Sequence, residues 1–215
     1  MSDVNILVLV SGNGTNLQAL LDAEKGGAFD IWMKTGEDFF ATGKIAAVVS
    51  DRSEAYALER ARAAGIPAFV EKPNLRIPKA KRRHEHSDRI VRICREKEIK
   101  LIVLAGFLSI LAGAILEEYS GRIINLHPAL LPKFGGEGMY GERVHRAVLA
   151  AGETESGCTV HFVDAGTDTG PILLQRKVPV LPGDTPETLA ERVHVVEHIA
   201  IVYGVMVMVG QLGAL

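Results

Sequence analysis

The sequence predicts an α/β fold: a mostly parallel central sheet with helices on both faces, followed by a C-terminal strand pair and one long helix. Three observations carry this. Short, continuously apolar runs such as "NILVLV", "KIAAVVS" and "KLIVLAG" read as strands buried on both faces, which is the habit of parallel sheets. Helix-length segments separate these runs, as parallel crossover connections require. Beyond "RIINL" the pattern changes to two longer runs joined by a turn, then to an extended apolar helical stretch.

Taken in order, "NILVLV" leads into the helical "TNLQALLDA", "KIAAVVS" into "EAYALERARAAG", "AFV" into a polar amphipathic stretch ending "IVRICREKE", and "KLIVLAG" into "ILAGAILEEY". "RIINL" is the fifth strand. A glycine-rich loop, "KFGGEGMYGERVH", separates it from the strand pair "CTVHFVDAG" and "PILLQRKVPV". The closing helix starts near Asp184 or Thr185 as N-cap, with Pro186 in its first turn. Its apolar run "IAIVYGVMVMVG" is about half the roughly 20 residues that a membrane span needs, so it reads as a buried helix. The segment from 26 to 43, "GGAFDIWMKTGEDFFATG", interrupts the first helix-to-strand connection. Its aromatics argue against a flexible linker, but the pattern assigns it no shape.

A chain of 215 residues suits one large domain or one domain with an appendage, enough to bury a substantial core. The formal charge of -2 offers no basic excess for nucleic acid or for an anionic membrane. Cys94 and Cys158 form neither a disulfide framework nor a metal-knuckle spacing, and a reducing, cytoplasmic compartment is expected. The opening "MSDVNILVLV" lacks the basic leader and long apolar stretch of a signal peptide.

Chemistry concentrates in a few stretches. In "INLHP", strand alternation puts Asn125 and His127 on one face and Ile124 and Leu126 on the other, and Pro128 stops the strand. An amide and a titratable ring thus sit at a strand's carboxyl end, where open α/β sheets bind ligands; a polar strand end facing water is the plain alternative. "VSGNGTNLQ" joins the first strand to the first helix. It fits neither the dinucleotide fingerprint nor the Walker pattern. Gly12, Asn13 and Gly14 read either as a phosphate cradle at a helix N-terminus or as a tight turn capped by Thr15. "HVVEH" matches an inverted zinc-peptidase pattern, yet no Cys, His, Asp or Glu follows His198, and helix histidines flanking a functional Glu197 are preferred to a metal. In "HFVDAGTDTGP", Asp164 suits an Asx turn, whereas Asp168 suits a proton acceptor or an orienter of His127. "RRHEH" at 82 to 86 reads as a solvated helix face. Four glycines between Gly135 and Gly141 read as a mobile lid.

Together, "ILVLVSGNGTNLQALLDA", "LERARAAGIP", "VLAGFLSIL", "GRIINLHPALLPKF", "GCTVHFVDAGTDTGPILLQ" and "ERVHVVEH" resemble the phosphoribosylglycinamide formyltransferases, folate-dependent enzymes of purine biosynthesis. The match spans nearly the whole chain, in order and at family spacing. The resemblance implies a Rossmann-like formyltransferase fold as one domain over 1–215, with a phosphate-binding half at 1–105 and a folate-binding and catalytic half at 106–215. It implies catalysis by Asn125, His127 and Asp168, and phosphate and ribose binding by Gly12, Asn13, Gly14, Thr15, His194 and Glu197. It further implies a folate pocket of Leu104, Phe107, Leu108, Ile110 and Leu111, with Asn125 and the Asp168 loop against the pterin and Arg83 near the folate tail.

The implied co-substrate is 10-formyltetrahydrofolate and the implied acceptor is glycinamide ribonucleotide, with no metal, nucleic acid or membrane partner; monomer and homodimer stay open. Ser109 stands where many relatives have Arg or Lys, and His194 where Gln or Lys is common near the substrate phosphate. Formyltetrahydrofolate hydrolases, the nearest rivals by resemblance, carry an extra N-terminal domain and a His where this chain has Pro128; here the phosphate loop begins by residue 11. Methionyl-tRNA formyltransferase would need an RNA-binding domain and a basic surface. A catalytically silent sensor of a phosphorylated metabolite would not require Asn125, His127 and Asp168 together.

Overall fold

The computed structural model describes residues 2–35 and 37–214. Along the chain run β1 (Ser2–Val10), α1 (Thr15–Lys25), β2 (Asp30–Thr35), β3 (Glu37–Ser50), α2 (Ala57–Ala63), β4 (Ala68–Val70) and α3 (Lys79–Glu96). They are followed by β5 (Ile99–Leu104), α4 (Ala114–Glu118), β6 (Ile123–His127), α5 (Glu142–Ala150), β7 (Glu155–Phe162), β8 (Ile172–Pro179) and α6 (Pro186–Gly213). The strands form one sheet in the order β2-β3-β1-β5-β6-β7-β8, with β4 also on β3. Pairings are parallel between β4, β3, β1, β5 and β6, and antiparallel where β2, β7 and β8 join. The expected α/β architecture, C-terminal strand pair and long helix are therefore present.

The period of two along β1 builds two cores at once. Val4, Ile6, Val8 and Val10 pack with residues of α1, α2 and α6, whereas Leu7 and Leu9 pack with residues of α3 and α4. In β6, Ile124 and Leu126 join the α6 side, leaving Asn125 and His127 on the opposite face, as alternation requires.

Helix α6 starts at a reciprocal capping box: Thr188 N–H donates to Thr185 Oγ1 at 3.3 Å and Thr185 N–H donates to Thr188 Oγ1 at 3.0 Å. Its close seat on the sheet requires glycine at two points. A Cβ at Gly43 would meet Val209 Cγ2 at 2.6 Å, and one at Gly204 would meet Val160 Cγ1 at 3.0 Å.

Three stretches differ from the sequence reading. The segment 26–43 is a β-hairpin: β2 pairs antiparallel with the start of β3, from Asp30↔Thr42 to Thr35↔Glu37. Phe29 anchors it in the core, while Trp32 lies exposed with its ring 6.2 Å from Phe40. The glycine-rich loop ends at Gly141, and residues 142–150 form α5, whose Val144 and Val148 are buried one helical turn apart. The region after β5 is irregular as far as Gly113, so α4 is only a single turn or so long.

The capping box predicts that Thr185→Ala lowers the unfolding free energy by about 1 kcal/mol. Denaturant titration should show this as a lower midpoint at unchanged slope.

Candidate active site

β6 carries Asn125 and His127 to the sheet's carboxyl edge, where Pro128 ends the strand. The antiparallel neighbour β7 sets His161 opposite Asn125 and Thr159 opposite His127. Thr159 holds the chain beyond the strand: its hydroxyl donates to Ala129 O at 2.6 Å and accepts from Leu131 N–H at 3.0 Å. Past β7 the chain turns on Asp164, whose Oδ1 accepts from Gly166 N–H at 2.9 Å and from the Thr169 hydroxyl at 2.7 Å. This is the Asx turn expected of Asp164. It presents Asp168 with a left-handed backbone, φ 59, a conformation that Asp tolerates better than most residues.

The Asp168 carboxylate gathers groups from three segments. Its Oδ1 lies 3.5 Å from Asn125 Nδ2 and 3.6 Å from His161 Nε2. Its Oδ2 lies 3.5 Å from His127 Nδ1 and accepts from Gly136 N–H at 3.0 Å. The three sequence-predicted residues are thus brought together, joined by His161, which sequence reasoning did not single out. The strand pairing of "TVHFV" against "INLH" was the signal that could have found it.

Hydrogen bonding orients the rings. His161 Nδ1 lies 2.8 Å from Phe162 O, a bond in which Nδ1–H donates, so its Nε2 accepts from the Asn125 amide at 3.0 Å. One Asn125 N–H is therefore committed, and the other has only its long contact to Asp168. His127 Nε2–H donates to Phe134 O at 2.8 Å, turning Nδ1 toward Asp168.

Burial holds His127 below the ordinary histidine value, outweighing the opposing pull of Asp168 and the Phe134 hydrogen bond. Asp168 does favour the charged ring, but His127 is 3 % exposed, and dehydration there outweighs a carboxylate 3.5 Å away. Asp168 is depressed despite its own burial, with the adjacent His127 ring and the Gly136 N–H both favouring its charged form.

These groups stand in a cavity of about 880 Å³. On the side of α6 and α1 it is lined by Asn16, Glu191, His194 and Glu197. Glu197 is buried and accepts from His194 Nδ1 at 2.6 Å and from Asn16 Nδ2 at 3.3 Å. The Glu197 bond raises the His194 pKa. Among the described residues no group of three His, Cys, Asp or Glu side chains is placed to hold a metal. Also on this side is His145 of α5, buried with Nδ1 unpartnered; its helix was read as loop, which hid it.

Gly12, Asn13, Gly14 and Thr15 adjoin the cavity through Asn16 but do not line it. Their turn is fixed to α2: Ala57 N–H donates to Gly12 O at 3.1 Å, and Arg60 Nε donates to Asn13 O at 2.9 Å. Gly14, not Thr15, is the N-cap of α1, and no side chain bonds the helix's first N–H groups. Only glycine fits there, with φ 77 and Ala57 Cβ 2.6 Å from where a Cβ would stand.

On the side of α3, Leu104, Phe107, Leu108, Ile110 and Leu111 all line the cavity, with Arg82, Arg83 and His86. The reading of "RRHEH" as a solvated face is corrected at His86. That residue is buried, its Nε2 is 2.7 Å from Glu71 O, and its ring stacks on Phe107 with centroids 6.0 Å apart. Ser109 Oγ donates to Asp51 at 2.7 Å.

The fold and site define a class: an α/β domain with a long cleft that gathers an amide, an imidazole and a carboxylate at the strand ends. Residues 4–205 match the family model described as formyl transferase. Over 198 residues the chain is 40% identical to phosphoribosylglycinamide formyltransferase of Escherichia coli K12, covering 91% of this chain and 82% of that protein. It is 42% identical to the trifunctional purine biosynthetic protein adenosine-3 of Drosophila pseudoobscura over 90% of this chain but 13% of that one. The chain spans 13 to 17% of the trifunctional relatives it matches. The crystal structure of glycinamide ribonucleotide transformylase 1 from Symbiobacterium toebii superposes with a TM-score of 0.83 at 38% identity, covering 97% of this chain and 88% of that one. The chain belongs to the formyl transferase family, as the sequence resemblance implied.

Because Asp168 pulls the His127 pKa up against burial, Asp168→Asn should move it further down. Histidine-selective NMR titration of the two proteins checks this; an upward shift would overturn the charge balance described above.

Proposed function

We propose that the chain transfers the formyl group of 10-formyltetrahydrofolate to the primary amine of 5-phosphoribosylglycinamide, a step of de novo purine (IMP) biosynthesis. The observation that carries this is the convergence of Asn125, His127 and Asp168 between two unlike halves of one cavity. The α6 side offers Glu197 to a ribose and His194, whose charge Glu197 favours, to a phosphate. The start of α1 and the Gly12–Thr15 turn add unbonded N–H groups to that end. The α3 side offers apolar walls from Leu104 to Leu111 to a pterin, with Arg83 toward its acidic tail. Each end of the cavity thus draws on both halves of the chain: Asn16 with His194 and Glu197 at the phosphate end, Arg83 and Leu104 with Phe107 to Leu111 at the folate end.

The acceptor amine is itself a nucleophile, so the protein's task is positioning, stabilisation of charge and proton transfer. As the amine attacks the formyl carbon, the carbonyl oxygen becomes an oxyanion. The loosely held second N–H of Asn125 turns to donate to it. The amine's surplus proton passes to the pair formed by Asp168 and neutral His127, which hold Oδ2 and Nδ1 3.5 Å apart. The imidazolium so formed is stabilised by Asp168 and returns the proton to the departing folate nitrogen. Substrates are small molecules throughout, and a cytoplasmic setting suits two buried, unpaired cysteines.

Asn125→Ala and His127→Ala should each lower kcat by roughly 10²–10³, the cost of losing one oxyanion or proton-transfer group, with folate affinity little changed. The decisive assay follows the deformylated folate optically with and without glycinamide ribonucleotide. Product that appears without the amine would mean a hydrolase, and no product at all would mean a silent binding protein.

A further inference from the structure

Two neighbouring residues of the glycine-rich loop reach in opposite directions. Gly136 donates its N–H to Asp168 Oδ2 at 3.0 Å. Glu137, next in the chain, pairs with Lys79 and, at 3.3 Å, with Arg83 Nη2. Lys79 and Arg83 stand four residues apart on the first turns of α3, hence on one helix face, and both line the cavity. Arg82 beside them spends its guanidinium on the carbonyls of Asn74 and Ile77. The cations offered to the cavity from this helix are thus held by a carboxylate from a loop that lies more than fifty residues along the chain.

The two contacts differ in firmness. Lys79 and Glu137 are 63% and 60% exposed, so their pairing is readily exchanged. Gly136 is seated more rigidly. Its φ of 101 suits glycine alone, and a Cβ on the preceding Gly135 would stand 2.6 Å from Leu131 Cδ2 and 3.2 Å from Asp168 Cβ. One peptide unit therefore links a loose ion pair at the cavity mouth to the carboxylate at its reaction centre.

We propose that Glu137 is an internal competitor of a ligand carboxylate: where the folate reading turns Arg83 and its neighbour Lys79 toward the glutamate tail, a tail that takes these cations displaces Glu137 and loosens the Gly136 bond to Asp168. The inference rests on the folate reading of the cavity. It makes Glu137 a specificity residue that sets how strongly tailed and tail-less folates are told apart. It also ties occupancy of the tail subsite to release of Asp168 Oδ2 for proton transfer.

Calorimetric titration of the wild type and of Glu137→Gln, each with a triglutamyl folate and with a pteroate analogue lacking glutamate, tests it. Removing the competing carboxylate should tighten the triglutamate by about fivefold and leave the pteroate within about twofold. Hydrogen exchange at the Gly136 amide should quicken in the variant, and in the wild type with triglutamate but not with pteroate. Equal changes for both ligands, weaker triglutamate binding in the variant, or Gly136 exchange indifferent to the tail would overturn the latch alone. Binding of neither ligand to the wild type would sink the folate reading and the latch with it.

Discussion

The site depends on one carboxylate. Asn125, His127, His161 and Gly136 come from β6, β7 and the glycine-rich loop, and Asp168 is the group that all four face. Without it, the two buried imidazoles would keep their bonds to Phe134 O and Phe162 O but would face no negative charge, and nothing would tie Gly136 to them. The position of Asp168 is secured locally. Asp164 closes the turn ahead of it, and Gly170 behind it leaves no space for a side chain, since a Cβ would fall 1.9 Å from Phe162 O. The left-handed backbone at Asp168 is an uncommon conformation of the kind found at functional sites. Here it is sustained by contacts on both carboxylate oxygens.

Two histidines of the same cavity show how environment assigns roles. His127 is enclosed, and dehydration lowers its pKa against the pull of Asp168. His194 is about half exposed, and a short bond to Glu197 raises its pKa. Burial thereby favours the neutral ring at His127, and the Glu197 contact favours the charged ring at His194. The difference comes from the depth of each ring and the firmness of its carboxylate contact, 3.5 Å in one case and 2.6 Å in the other.

Much of this was legible in the sequence because it rests on strand alternation. Period two placed Asn125 and His127 together, and Pro128 marked the end of β6. The roles of Asp164 as turn builder and Asp168 as partner of His127 also followed from local chemistry. What stayed hidden depends on contacts distant in sequence. His161 matters because β7 pairs antiparallel with β6 in a particular register. His86 lies among charged neighbours and is buried only because Phe107 and the Glu71 carbonyl come to it. The balance at His127 needed its burial, which no spacing reveals. The hairpin of β2 and β3 and the helix α5 escaped for a local reason: charged residues within them and glycines beside them interrupt the short apolar patterns.

The hairpin has a consequence for how such a chain can change over time. β2 and β4 share one edge of β3, and three strands, β3, β1 and β5, stand between that edge and β6. Sheet hydrogen bonding links nearest neighbours, so adding chain at the far edge perturbs the strand it joins and leaves the pairing of Asn125 with His161 alone. The molecule thus separates a region open to growth from one that is held fixed. A lineage could lengthen, shorten or decorate the segment 26–43 as a module while Asn125, His161 and Asp168 keep their arrangement at the other end of the sheet.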